Sequence, residues 1–159
     1  MNAASTTNTT NTTNTADTAD ITNANRQRLQ HIMSELDKGN GQPFLAAMAD
    51  DFCWTIPGDT PWSRTYRGKQ AVVRDLLQPL YAQFVLPYIS TTRSILADGD
   101  RVVVEFEGKV TTRAGKAYNN RYCYVFRMEG GQMKELMEYL DTALVNAALE
   151  APSSAALAA

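Results

Sequence analysis

Four consecutive strand-like segments fill the second half of the sequence, and this run constrains the fold more than any other feature. The segments are rich in β-branched and aromatic residues and alternate between apolar and polar positions. Short turns such as Asp98-Gly99-Asp100 separate them, and turns of this length join antiparallel neighbours. The pattern predicts an antiparallel meander over residues 88–96, 101–111, 118–128 and 133–139.

The first half of the sequence is mainly helical in pattern. Apolar residues at helical spacing predict helices over residues 26–38, 43–48 and 69–84, and residues 52–56 are predicted to form a strand. Pro79 lies inside the third helix and predicts a kink or a break there. Helices followed by a meander indicate an α+β domain, in which the helices cover one face of a curved antiparallel sheet.

Residues 1–25 differ in composition from the rest of the chain. They contain nine Thr and six Asn, and Ile21 is their only large apolar side chain after Met1. Such a segment buries too little to offset the entropy lost on ordering, so we predict a disordered tail. Residues 26–150 are then one domain, followed by a flexible C-terminal tail at residues 151–159.

The charge of the chain argues against two kinds of partner. There are 15 basic and 17 acidic residues, and because Asp17 and Asp20 lie in the tail, residues 26–159 are neutral overall. Scattered charges provide no electrostatic footprint for nucleic acid or an anionic membrane. No segment approaches the roughly 20 apolar residues of a transmembrane helix. We expect neither kind of partner.

The histidine and the two cysteines do not form a metal-binding pattern. His31 is the only histidine, and it falls on the polar face of the first predicted helix, where a surface position is expected. Cys53 and Cys123 lie far apart in apolar strand-like runs and are predicted to be buried free thiols in a reducing cytoplasm. We predict no metal and no cofactor.

The last predicted strand delivers acidic side chains into an apolar neighbourhood. Glu138 and Asp141 stand just before Ala- and Leu-rich residues. A carboxyl in an apolar cavity has a pKa raised toward neutrality, so it can take a proton and return it. Asp141 is the first candidate for this role and Glu138 the second. Their opposite parity on a regular strand means that both face inward only if a bulge intervenes.

Both carboxyls also have simple structural interpretations. Asp141 is suited to cap a terminal helix over residues 142–149, an ordinary role for Asp. Glu138 is equally suited to pair with a cation such as Arg121 or Lys134.

Aromatic side chains are the candidate walls of a pocket around these acids. Tyr122 or Tyr124 is placed to donate a hydrogen bond to a developing enolate oxygen, and Trp54 and Trp62 to form hydrophobic walls. The alternative is that they belong to the core and that Arg121 is a strand-surface cation. The predicted catalytic residues are Asp141, Glu138 and Tyr122, and the predicted ligand-binding residues are Trp54, Trp62, Tyr66, Asn120, Arg121 and Tyr124.

The two faces of the predicted sheet are both partly apolar. Tyr122, Tyr124 and Phe126 share one face, whereas Cys123 and Val125 share the other. The side away from the helices is therefore a candidate dimer surface, and we expect a homodimer.

Four groups of short motifs follow one another along the chain. They are Ala49-Asp50-Asp51 before Trp54, Trp62-Ser63 with Tyr66-Arg67-Gly68-Lys69, Asp98-Gly99-Asp100 before Val102-Val103-Val104, and Glu138-Tyr139-Leu140-Asp141-Thr142. In this order they resemble the SnoaL-like branch of the nuclear transport factor 2-like superfamily. The resemblance spans residues 26–149 and implies a cone of curved sheet with N-terminal helices packed over its concave face. The superfamily includes isomerases, cyclases, epoxide hydrolases, dehydratases and non-catalytic binders.

The sequence departs from two characterised branches of that superfamily. Alignment on Asp50-Asp51 puts Ile56 where a ketosteroid isomerase has its base, and the Tyr and Asp of its oxyanion pair are also missing. Limonene epoxide hydrolase-like enzymes use an Asp-Arg-Asp set, but here Arg121 is followed two residues later by Cys123. SnoaL-like cyclases need a single acid/base carboxylate, which Asp141 would supply under this resemblance.

Two functions of different classes follow from these observations. The first is a cofactor-free acid/base enzyme of the cyclase, isomerase or dehydratase type, acting on a small apolar carbonyl compound, with epoxide-hydrolase-like water addition as a variant. The second is a binding protein that holds an apolar ligand without turnover. A carboxylate that lines the cavity without a salt-bridge partner favours the first.

Overall fold

The elements of the fold follow the predicted order with one additional strand. The computed structural model describes residues 10–152, with side chains described from residue 17 onward. The helices are α1 (Thr10–Leu36), α2 (Gln42–Ala47), α3 (residues 69–81) and α4 (Thr142–Ala148), and the strands are β1 (Met48–Ile56), β2 (Arg64–Arg67), β3 (Phe84–Asp98), β4 (Arg101–Thr112), β5 (Asn120–Glu129) and β6 (Gln132–Leu140).

The six strands form one curved, unclosed sheet in the order β2-β1-β6-β5-β4-β3. Strands β3 to β6 pair as the predicted antiparallel meander, and β1 runs parallel to β6 at its other side. The predicted α+β class, with helices over one face of a curved sheet, is confirmed. The short edge strand β2 was not predicted, since four residues carry too little alternation to be recognised.

The first helix is longer than the sequence indicated. We predicted a disordered segment up to residue 25, but α1 begins at Thr10. Two polar side chains of this part hold the β3–β4 turn: the Gly99 backbone N–H donates to Thr22 Oγ1 at 2.8 Å, and Asn25 Nδ2 donates to the Gly99 carbonyl at 2.9 Å. These contacts satisfy polar groups that a tail would leave to water, and they are invisible in the composition. Residues 1–9 and 153–159 of the predicted tails lie outside the described residues.

The third helix contains Pro79 and changes between α-helical and π-helical geometry along its length. It begins as an α-helix at Lys69–Ala71, widens to a π-helix over Val72–Leu77 and ends as an α-helix at Gln78–Tyr81. Pro79 has no backbone N–H to donate, so the irregular turn immediately before it accommodates the missing hydrogen bond. The helix ends before the predicted residue 84 because β3 begins at Phe84.

The core lies between the helices and the concave face of the sheet. Val104 and Phe126 on neighbouring strands are fully buried, and Leu29 and Met33 of α1 pack in the same cluster. The predicted inward parity of Tyr122, Tyr124 and Phe126 is therefore confirmed. His31 is exposed on α1, as expected.

The two cysteines occupy the other face of the sheet. Cys53 and Cys123 are free thiols, but both are half-buried rather than buried as predicted. The reason is their parity, because both alternate with side chains that point into the core.

Candidate functional site

A cavity of about 560 Å³ opens between the concave face of the sheet and the helices. Its walls are mostly apolar. The sheet contributes aromatic rings, whereas α1, α2, α3 and α4 contribute aliphatic side chains such as Leu36, Leu45, Leu77 and Val145. A space of this size and character suits a small organic ligand.

Glu138 is the only ionisable carboxyl that lines this cavity among the described residues. It lies near the end of β6 directly opposite Tyr124 of β5, and it is 6% exposed. Trp54 Nε1 of β1 donates to Glu138 Oε2 at 2.6 Å. Tyr124 approaches the carboxyl from β5, so Glu138 is contacted from both neighbouring strands.

Burial raises the pKa of Glu138 to about 7, from an ordinary value of 4.5, because an ionised carboxylate loses its hydration in this environment. The hydrogen bond from Trp54 and the contact with Tyr124 act in the opposite direction and favour the ionised form. No cationic side chain described by the structure forms an ion pair with Glu138. The two partners proposed from the sequence are engaged elsewhere, because Lys134 pairs with Asp51 at 2.7 Å and Arg121 lies 3.9 Å from Glu107.

Asp141, the first candidate from the sequence, does not line the cavity. Strand β6 ends at Leu140, and Asp141 is the N-cap of α4. Its Oδ1 accepts hydrogen bonds from the backbone N–H of Ala143 at 3.0 Å and of Leu144 at 3.1 Å, and its side chain is exposed. The structure thus gives Asp141 the alternative role of a helix cap, and it does not place the Asp141 side chain in the cavity wall as predicted.

The predicted aromatic set is divided between cavity and surroundings. Trp54, Trp62, Tyr122 and Tyr124 line the cavity. Tyr66 is buried outside the lining, where its hydroxyl donates to the Trp62 carbonyl at 3.1 Å. Tyr66 was predicted to contact the ligand, but in the structure it binds the loop that carries Trp62.

Asn120 and Arg121 also lie outside the lining, for different reasons. Asn120 is buried, and its side-chain amide binds both backbone groups of Asp141, donating to the carbonyl at 3.2 Å and accepting from the N–H at 3.0 Å. Arg121 is exposed on the outer face of the sheet. Cys123 lies on the same outer face and is half-buried. Arg121 and Cys123, which were compared with part of an Asp-Arg-Asp set, are therefore not brought together in the cavity.

Three tyrosines of the cavity wall were missed as site residues: Tyr81, Tyr88 and Tyr118. Tyr118 has the same parity as Tyr122, so the alternation of the strand predicted over residues 118–128 would have indicated that Tyr118 faces inward. Tyr88 gave no such signal, because β3 is irregular between Val85 and Ile89, where its register with β4 shifts.

The hydroxyls of Tyr88, Tyr118 and Tyr122 form a cluster, called here the tyrosine cluster. Tyr122 lies close to both of the others and moderates the rise in their pKa caused by burial. The pKa of Tyr118 is still raised to about 12, and those of Tyr88 and Tyr122 are also raised. All three groups are therefore neutral hydrogen-bond donors near pH 7.

One end of the cavity is closed by α4 and the residues that follow it. Trp62 Nε1 donates to the Glu150 carbonyl at 3.0 Å. Gln83 binds the same backbone twice, with Nε2 donating to the Glu150 carbonyl at 3.0 Å and Oε1 accepting from the Glu150 N–H at 2.9 Å. Val145 and Leu149 are thereby held in the cavity wall.

Metal-binding and membrane-spanning features are not found in the described part of the chain. Across these residues, no three His, Cys, Asp or Glu side chains gather as a metal site would require. Within the same limits, α1 is the longest helix, and no helix combines the length and apolar character needed to cross a bilayer.

Comparison with solved structures identifies the fold as nuclear transport factor 2-like. A nuclear transport factor 2-like protein from Burkholderia thailandensis E264 is 24% identical, with a TM-score of 0.69 over 79% of this chain and 97% of its own. A protein from Jannaschia sp. CCS1 provisionally named a SnoaL-like polyketide cyclase is 16% identical, with a TM-score of 0.67 over 84% and 96%. A provisionally named isomerase from Bacillus subtilis is 18% identical, with a TM-score of 0.65 over 79% and 92%.

The sequence itself matches the SnoaL-like domain family over residues 29–136. The chain therefore belongs to the SnoaL-like family, as the resemblance in its motifs indicated. No curated protein sequence matches it.

Proposed function

We propose that this protein is a cofactor-free acid/base enzyme of the SnoaL-like type, with Glu138 as the group that transfers the proton. Its substrate would be a small, largely apolar carbonyl compound held in the inner cavity. The observation that carries the proposal is a buried carboxyl that lines an apolar cavity and has no ion-pair partner among the described residues.

The environment of Glu138 suits reversible proton transfer. A group with a pKa of about 7 is present in both protonation states near neutral pH, so it can remove a proton in one step and return it in the next. The Trp54 N–H can only donate, so it orients the carboxylate without competing for the proton. At least one lone pair of the carboxylate stays available for a substrate C–H or O–H.

The apolar walls support the same chemistry. A hydrogen on the carbon next to a carbonyl is only weakly acidic in water. On its removal the C–H electron pair forms a C=C bond, and the π pair of the carbonyl moves onto the oxygen. Exclusion of water strengthens every electrostatic interaction with that oxygen. Cyclisation, isomerisation and dehydration all share this step.

The experiment that tests the proposal is hydrogen–deuterium exchange into a panel of apolar ketones. The purified protein is incubated with each ketone in D₂O, and loss of the proton signal next to the carbonyl is followed by NMR. The wild-type protein is expected to accelerate exchange in at least one ketone, and Glu138→Gln is expected to abolish that acceleration while still binding the ketone in a thermal-shift assay.

Glu135→Gln is the matched control, because Glu135 lies on the same strand but is exposed and paired with Arg127. It is expected to retain full activity. Equal exchange by wild type and Glu138→Gln would refute the role of Glu138. Binding without any exchange or turnover would instead favour a protein that carries an apolar ligand.

A further inference from the structure

The tyrosine cluster brings together three side chains of the cavity wall from two neighbouring regions of the sheet edge, β3 and the start of β5. Tyr88 belongs to β3, Tyr118 precedes β5 and Tyr122 lies on β5. All three residues line the cavity, and Tyr118 and Tyr122 are among the buried residues. The cluster is distinct from the contacts that hold Glu138, which come from Trp54 and Tyr124.

Packing fixes the rings that carry these hydroxyls. Phe84 stacks against Tyr88 and against Tyr118, with ring centroids 5.9 Å apart in both pairs, and Phe106 stacks on Tyr122 at 4.6 Å. Gly108 leaves room for Tyr88 beside Tyr122, because a Cβ at that position would overlap the Tyr88 hydroxyl and touch the Tyr122 ring. The hydroxyls are therefore held in place before any ligand enters.

The cluster contains more donors than acceptors that it can use. Contacts between Tyr122 and its two neighbours can use at most two of the three O–H groups. A further contact adds another donor, since Asn120 Nδ2 donates to the Tyr118 hydroxyl at 3.3 Å. At least one O–H thus has no acceptor in the part of the chain that the structure describes.

We propose that the tyrosine cluster is a second polar site of the cavity, which binds the carbonyl oxygen of a ligand by donating hydrogen bonds to it. An O–H that faces an apolar cavity without a protein acceptor is poorly satisfied, and an acceptor oxygen on the ligand would satisfy it. The ligand class that matches is a ketone or ester with an apolar, preferably aromatic body, since the walls around the cluster are aromatic rings.

The position of the cluster connects it to the proposed chemistry, and this part of the inference rests on the proposed function. Tyr122 and Tyr124 are neighbours on the inner face of β5, with ring centroids 5.9 Å apart, and Tyr124 faces Glu138 across the sheet. When Glu138 takes the proton from the carbon, the electron pair of that C–H bond forms a C=C bond, and the π pair of the carbonyl moves onto its oxygen. The tyrosine hydroxyls then stabilise the resulting enolate until Glu138 returns the proton.

The test compares a ketone with a hydrocarbon of the same shape. The probes are 2-acetylnaphthalene, labelled with carbon-13 at the carbonyl, and 2-isopropenylnaphthalene, which replaces the oxygen by a methylene group. Affinities are measured by fluorescence titration, and the carbonyl stretching band of the bound ketone by infrared difference spectroscopy. Wild type is expected to bind the ketone about tenfold more tightly than the hydrocarbon, and to lower the carbonyl frequency.

Tyrosine-to-phenylalanine variants separate hydrogen bonding from packing. Tyr122→Phe is expected to lower ketone affinity about tenfold, leave hydrocarbon affinity unchanged and move the carbonyl band toward its position in an apolar solvent. Tyr88→Phe is expected to have the same effect in smaller measure. Tyr139→Phe is the matched control, because Tyr139 is exposed and lies outside the cavity lining, and it is expected to change nothing.

The same measurements distinguish this inference from the proposed function. If wild type binds both probes equally, or if Tyr122→Phe leaves the carbonyl band unmoved, the inference is wrong even when Glu138-dependent exchange is observed. If the band responds to Tyr122→Phe but no protein exchanges any ketone, the oxygen site stands and the proposed acid/base function fails.

Discussion

The raised pKa of Glu138 has a consequence for folding stability that can be measured without a substrate. In the folded protein the carboxyl keeps its proton up to about pH 7, whereas in the unfolded chain it releases the proton near its ordinary pKa of 4.5. Between these values the folded state binds more protons than the unfolded state. The free energy of unfolding therefore falls as the pH rises through this interval.

The size of the effect follows from the two pKa values. A displacement from 4.5 to about 7 corresponds to about 3 kcal/mol of stability that is present at low pH and lost above pH 7. Most of this, about 2–3 kcal/mol, is lost between about pH 5 and about pH 8. The change is a large fraction of the stability of an ordinary domain, so urea unfolding followed by circular dichroism will resolve it.

Glu138→Gln isolates this contribution, because Gln does not titrate and its side-chain oxygen can still accept from Trp54. The free energy of unfolding of the variant is expected to fall less than that of the wild type over the same pH range, by about 2–3 kcal/mol. The surface carboxyls with lowered pKa, such as Asp51 beside Lys134, titrate in both proteins and cancel in the difference. Glu135→Gln should keep the wild-type slope. Parallel curves for wild type and Glu138→Gln would refute the assignment of a raised pKa to this buried carboxyl.

Three further perturbations test the surroundings of the site. Trp54→Phe removes a hydrogen bond that favours the ionised form of Glu138, so the pKa of Glu138, followed by carbon-13 NMR of its carboxyl, should rise above the wild-type value of about 7; an unchanged or lower pKa would contradict this. Gly108→Ala should destabilise the fold by roughly 1–3 kcal/mol, because the added Cβ overlaps Tyr88. The loss should be smaller in a Tyr88→Phe background, as measured by a double-mutant cycle in urea. Additive effects of the two substitutions would show that the added Cβ does not clash with the Tyr88 hydroxyl. Asp141→Ala should lower the free energy of unfolding in urea by about 1 kcal/mol, because it removes the cap of α4. The affinity for 2-acetylnaphthalene should be unchanged. A loss of affinity without a loss of stability would show that Asp141 contributes to the binding site.

The arrangement of strands was predictable because its signals are local. Alternation with a period of two and short turns at Gly99 and Gly130 determine strands and hairpins within a few residues of sequence. The N-terminal half of α1 was not predictable in this way. It is polar, and what orders it against the sheet includes two hydrogen bonds with Gly99, which donates its N–H to Thr22 and accepts from Asn25 at its carbonyl, more than seventy residues away.

The choice between the two carboxyls shows where sequence patterns stop being informative. Glu138 and Asp141 stand three residues apart near the same strand end, and both suit a pocket acid by type. Their positions differ because β6 ends at Leu140. Asp141 therefore lies in the turn that leads into α4, whereas Glu138 lies on the strand with its side chain on the inner face, opposite Tyr124. A strand end that shifts by one or two residues exchanges these roles, and sequence patterns locate such ends no more closely than that.

The contact between Gln83 and Glu150 gives the cavity a wall that tolerates substitution. Both hydrogen bonds of Gln83 are made to the backbone of residue 150, so they recognise the path of the chain and not its side chain. Every amino acid except proline offers the same N–H and carbonyl at that position. The inward-facing positions Val145 and Leu149 can therefore change in size and shape without loosening this attachment. A family with such a wall can acquire a new ligand preference through one short helix while the sheet that carries the acid remains as it was.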